Sequence, residues 1–87
     1  ILFMNKLEIF KKKLLYRSNY RGTKEMDILL SKFVKKYINN FSEAQLYELD
    51  KFLDFEDEVI LNYYNYGIVK DNIDKNKISP IFKNYSI

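Results

Sequence analysis

The chain has few residues able to do chemistry. The sequence holds no Cys and no His, which removes thiolate nucleophiles, disulfides, the commonest metal ligands and every Ser-His-Asp arrangement. Carboxylate, Lys and Tyr remain for proton transfer. The densest carboxylate group is Asp54-Phe55-Glu56-Asp57-Glu58. It lacks the ligand spacing and central Gly of a calcium loop, so it reads as a solvated turn lending negative charge to the start of a helix. An acid–base pair of the glycosidase kind would need two carboxylates facing a cleft. Nearly all the carboxylates fall on polar faces, and 87 residues leave little room for a cleft. No enzyme, metal site or cofactor is expected from these residues.

The basic residues offer a different chemistry. Lys11-Lys12-Lys13 with Arg17 and Arg21 could grip phosphates, but no base-reading or stacking motif accompanies them. A solvated helix face is the plainer reading, and nucleic acid is disfavoured as a partner. Tyr63, Tyr64 and Tyr66 read as core and surface filler rather than a stacking platform. Tyr20-Arg21-Gly22-Thr23-Lys24-Glu25 is more pointed, with Arg and Glu four apart around a Gly that can adopt backbone angles other residues resist. One reading is a turn with a local Arg21–Glu25 ion pair, worth about a few tenths of a kcal/mol. The other is an exposed recognition corner carrying both charge signs. Composition leaves the two open.

The elements that would position these residues are legible from apolar spacing. Phe3, Leu7, Phe10 and Leu14 form one stripe, predicting a helix over roughly Asn5 to Arg17. Met26, Leu29, Leu30, Phe33, Val34, Tyr37 and Ile38 repeat the helical spacing without a miss, with Thr23 as N-cap and Glu25 and Asp27 in the first turn. Ser42 and Gln45 form a capping box, with Phe41 and Leu46 as its hydrophobic staple. Leu46, Leu49, Phe52 and Leu53 continue that third helix, and Val59, Ile60, Tyr63 and Tyr64 carry a fourth, closed by Gly67. Ser79-Pro80 predicts an N-cap and first residue for a short helix over Pro80 to Tyr85 that buries Ile81 and Phe82.

The expected fold is therefore all-α, a small single-domain bundle of four helices plus a short fifth over residues 1–87. Residues 1–4 are read as disordered or a non-native start, with Met4 as the natural one, and 70–78 as a polar connection to the last helix. Apolar residues make up 47% of the chain, enough for a packed interior at the size where one core just suffices. Two Gly and one Pro are too few for a barrel or sandwich with many tight turns. The opening apolar run is shorter than the about 7–15 residues of a secretory core or the about 20 of a spanning helix. Neither export nor membrane insertion is expected. Absence of Cys fits a reducing compartment. The lack of an Arg/Ser-rich transit segment favours the cytoplasm, or the mitochondrial matrix if the chain is eukaryotic and already processed.

The net charge of +3 conceals an asymmetry. Residues 1–24 carry a local +6, residues 25–58 a local −5 and the remainder +2. Such a dipolar molecule suits oriented docking on a partner.

Arg21-Gly22-Thr23-Lys24-Glu25-Met26-Asp27 followed by an aliphatic run resembles the signature of the succinate dehydrogenase flavinylation factors. That signature reads Arg-Gly-x-x-Glu, an apolar residue and Asp. The Ser-capped helix at Ser42, the pair Phe52-Leu53 before Glu56-Asp57, and Tyr63 and Asn65-Tyr66-Gly67 agree in order, so the resemblance covers about Leu7 to Tyr85. Tyr20 stands where the family usually has a second Arg, Thr23 where a large apolar residue is common, and Tyr63 where Trp is typical. The resemblance implies a five-helix bundle that binds the flavoprotein subunit of succinate dehydrogenase, with that of fumarate reductase as a further candidate. It would promote covalent FAD attachment as a chaperone, holding no cofactor itself. It implies Arg21, Gly22 and Glu25 as the contact corner, with Arg17, Tyr20 and Asp27 beside it. The alternatives from other classes are a basic helical nucleic-acid-binding module and an antitoxin-like binder.

Overall fold

In the computed structural model, which describes residues 5–86, the chain is all-helical, and no strand occurs among the described residues. Helix α1 spans Lys6–Ser18, α2 Lys24–Tyr37, α3 Glu43–Phe52 and α4 Asp57–Tyr66; a single 3-10 turn at Ile73–Lys75 precedes α5, Ser79–Lys83. The N-termini of α1, α2 and α3 are held by side-chain caps. Asn5 Oδ1 accepts the Glu8 N–H at 2.8 Å, and Thr23 Oγ1 accepts that of Met26 at 3.2 Å. At α3 the Ser42 and Gln45 side chains each accept the other's backbone N–H, at 3.2 and 2.8 Å, which completes the capping box. Gly67 ends α4 in the left-handed region, at φ 69°, the conformation a side chain there would strain.

The α2 stripe forms the centre of the core. Leu30, Phe33 and Val34 have no exposed surface, and Phe33 meets Phe82 of α5 edge-on at 5.0 Å between ring centroids. Tyr85 lies 5.3 Å from the same ring, and Phe82 is also 5.2 Å from Phe52. Such edge and tilted pairs add about 0.5–1.5 kcal/mol each beyond area burial. The last short helix is thus fixed by aromatic packing rather than by its own length.

Three expectations need correction. The α1 stripe buries only toward its C-terminal half. Leu14 is fully buried, Phe10 half-buried and Leu7 37% exposed, while Phe3 and the reading of residues 1–4 lie outside the described residues. Ser79 does not cap α5: it is the helix's first residue after Ile78, its Oγ buried without a partner. The polar connection at 70–78 is also more structured than its composition suggests. Ile73 and Ile78 are fully buried, and Asn76 is 9% exposed. Asn76 Nδ2 donates to the Glu48 carbonyl at 2.9 Å and its Oδ1 accepts the Ile78 N–H at 2.8 Å. The Lys77 N–H adds a bond to Glu48 Oε1 at 3.1 Å, so the tail is clasped to α3.

Candidate functional site

The segment between α1 and α2 turns sharply, and two arginines anchor it from inside. Arg17, on the last turn of α1, donates to Asp50 and Asp54 side chains and to the Asp50 carbonyl at 3.1 Å. Arg21, four residues on, reaches the α3–α4 turn. Its Nε donates to Asp57 Oδ1 at 2.7 Å, and its two terminal nitrogens donate to the Leu53 and Phe55 carbonyls, each at 3.0 Å. Leu53 is the C-cap of α3, where carbonyls lack intrahelical partners, and the forked guanidinium supplies donors in a geometry no other side chain offers. The other Asp57 oxygen accepts the Gly22 N–H at 2.7 Å. Asp27 Oδ1 accepts the Arg21 N–H. Asp57 therefore ties the corner's backbone and its arginine to the start of α4.

Of the six residues singled out from sequence, this places four in one network: Arg17, Arg21, Gly22 and Asp27. Glu25 and Tyr20 point outward. Glu25 is exposed and forms no ion pair among the described residues, so the local Arg21–Glu25 pair does not form. Arg21 takes Asp57 instead, because one carboxylate there also satisfies a backbone N–H. The acidic turn is accordingly not merely solvated; Asp54 and Asp57 are the arginines' counter-charges.

Gly22 also differs from expectation. The left-handed residue is Tyr20, at φ 58°, and Gly22 is not in that region. A left-handed non-Gly residue of this bulk stores backbone strain. The space at 22 is tight: a Cβ there would stand 3.1 Å from Asp57 Oδ2, so any side chain must push the carboxylate that holds the corner by a few tenths of an ångström. The corner's outer surface is Tyr20, 78% exposed, with Gly22, Thr23 and Glu25 also exposed. An open groove lined by Gly22, Thr23, Met26, Asp57, Glu58 and Leu61 runs beside it. A second depression, lined by Glu25, Ile28, Leu29 and Tyr64, borders the same helix α2.

Sequence reasoning missed Asp50, Asp54 and Asp57 as the arginines' partners. A signal existed: Asp50 and Asp54 are one helical turn apart, spaced to receive one guanidinium, in the acidic block that complements the basic N-terminal third.

The fold defines a small all-helical protein that presents an exposed corner rather than a cleft. Comparison with known proteins makes this specific. A family model described as flavinator of succinate dehydrogenase matches residues 12–85, and the chain belongs to that family. Among curated relatives, succinate dehydrogenase assembly factor 2, mitochondrial, of Scheffersomyces stipitis is 51% identical over 51 residues, 59% of this chain and 34% of that protein. The protein of the same name from Debaryomyces hansenii is 43% identical over 51 residues, covering 59% of this chain and 36% of its own length. That of Danio rerio is 49% identical over 47 residues, covering 54% and 30%. The aligned stretch thus spans about a third of the length of these relatives.

Proposed function

We propose that this chain is an assembly factor that binds the flavoprotein subunit of succinate dehydrogenase and promotes its covalent FAD attachment. The observation that carries the reading is the corner itself. Within a chain of this family, the Arg-Gly-x-x-Glu segment is locked by Asp57 into one exposed shape, with the Gly22 backbone, Tyr20 and Glu25 outward. A preorganised surface loses little freedom on binding, which favours affinity. The contact set is Arg21, Gly22 and Glu25 with Arg17, Tyr20 and Asp27 beside them, divided by role. Arg17, Arg21 and Asp27 hold the corner; Tyr20, Gly22 and Glu25 meet the partner.

The chain acts by binding rather than by catalysis. In this reading the flavin bond forms on the flavoprotein, whose conformation the factor stabilises. Linkage gives the physical route: a partner that binds only the competent state raises that state's population by its differential affinity. The named relatives are mitochondrial proteins, and we place this chain in the mitochondrial matrix. No described helix is long and apolar enough to cross a membrane.

The test is co-expression with the cognate flavoprotein subunit, scoring protein-bound flavin fluorescence on a denaturing gel. Covalent flavin that depends on this chain is the expected result. Flavin attached equally with and without it would overturn the proposal.

A further inference from the structure

The lysine run at 11–13 has no part in the corner, and the helix divides it. Consecutive residues point about 100° apart around an α-helix, so the three ammonium groups fan out instead of forming a row. Lys11 turns toward the end of α2, where its Nζ donates to Asn39 Oδ1 at 3.4 Å. Lys6, Lys12 and Lys13 are exposed and form no ion pair among the described residues. Between the directions of Lys12 and Lys13 lie Ile9 and Tyr16, 52% and 67% exposed. Seven residues apart, they share one line of the helix and are separated by about 10 Å. Tyr20 extends that line past the helix end, its ring centroid 5.1 Å from that of Tyr16. The face opposite the buried Leu14 is thus an apolar and aromatic stripe edged by lysines, and it runs into the corner.

We propose that this outer face of α1 is a second docking surface for the same flavoprotein, meeting an acidic patch with apolar residues at its centre. This rests on the function proposed above. The stripe is continuous with the corner through Tyr20, so a protein seated on one meets the other. Its exposed lysines have no ion-pair partner among the described residues, and complementary acidic groups would supply one while speeding encounter. Exposed Tyr with an apolar neighbour is the composition of interface centres. A nucleic acid fits less well, because the fanned lysines do not track a phosphate backbone. A membrane surface fits less well too, since the apolar line is one residue wide and interfacial helices bury a broad face.

The affinity of the purified flavoprotein subunit is measured for the unaltered chain, Lys12→Glu/Lys13→Glu, Ile9→Ser/Tyr16→Ser and Gly22→Arg, at low and high salt. All four altered positions on α1 are exposed, and a thermal melt checks that each pair folds. Charge reversal is expected to lower affinity about tenfold or more at low salt, with a smaller gap at high salt. The Ile9/Tyr16 pair is expected to lower it about tenfold at both. Unchanged affinity for both pairs, with binding lost in Gly22→Arg, would overturn the docking face and leave the proposed function standing. No binding by the unaltered chain would overturn both. Retention on anionic phospholipid vesicles or RNA that depends on Lys12 and Lys13, with unchanged flavoprotein affinity, would also overturn it.

Discussion

Arg21 and Asp57 show how a partly buried residue pair can fix the shape of an exposed corner. Their side chains are 12% and 23% exposed, so removing one leaves the other partly buried without its partner, a loss of about 1–3 kcal/mol. Because the two act as a unit, the costs do not add. Arg21→Ala and Asp57→Ala are each expected to lower unfolding free energy by about 1–3 kcal/mol, and the double variant by little more than the worse single one. Urea titration checks this, and additive costs would mean that the pair is not the unit described. The pairing was hidden in the sequence because Asp57 is 36 residues from Arg21, while Glu25, four residues away, satisfies the local rule. The strained residue was hidden as well. Gly22 drew attention to itself, yet the chain turns through Tyr20, and what distinguishes Gly22 is the close approach of the Asp57 carboxylate rather than its backbone angle.

At the scale of elements, legibility followed the number of repeats. Helix α2 repeats its apolar spacing over nearly four turns, so its buried face was readable. Leu30→Ala or Phe33→Ala is expected to cost about 2–5 kcal/mol, read from the shift in denaturant midpoint. The tail has no such repeat. Its 3-10 turn is three residues long, and Ile73, Asn76 and Ile78 are single buried residues among polar ones; the turn packs against α4 and α5, and Asn76 bonds to Glu48 of α3. Asn76→Ala is expected to cost about 1–3 kcal/mol, because it leaves the Ile78 N–H without its acceptor and removes the bond that ties the tail to α3. Hydrogen exchange across residues 73–85 would show whether the tail loosens first. Glu48 makes this clasp pH-sensitive. Its carboxyl is held below the ordinary range, chiefly by accepting the Lys77 N–H and further by the nearby Lys51, against some desolvation. A carboxyl depressed in the folded state adds stability above its unfolded pKa of about 4.3 and loses it as pH falls through the folded value. Glu48→Gln is therefore expected to melt below the natural chain at neutral pH, with the difference closing below about pH 4. A gap that persists in acid would assign the effect to something other than the charge.

For the whole molecule, the charge asymmetry has two destinations. Part is neutralised internally, where Arg17 and Arg21 from the basic third meet Asp50, Asp54 and Asp57 of the acidic middle. The remainder, on the outer face of α1 and at Glu25, stays on the surface as the dipole expected from sequence. The fold class was readable from periodicity and caps, and the family from the ordered set around Arg21-Gly22-Thr23-Lys24-Glu25. The geometry that turns Arg17, Arg21 and Asp27 inward and leaves Tyr20 and Glu25 exposed was not, because it depends on which helix ends meet. The most direct test of the account is the affinity of the cognate flavoprotein subunit for Gly22→Arg and Glu25→Lys, each checked by a cooperative melt. An arginine at 22 displaces Asp57 and covers the backbone, whereas a lysine at 25 alters only an exposed charge. The account predicts folded variants with binding lost in the first and weakened at least about tenfold in the second. Folded variants that both bind like the natural chain would contradict it.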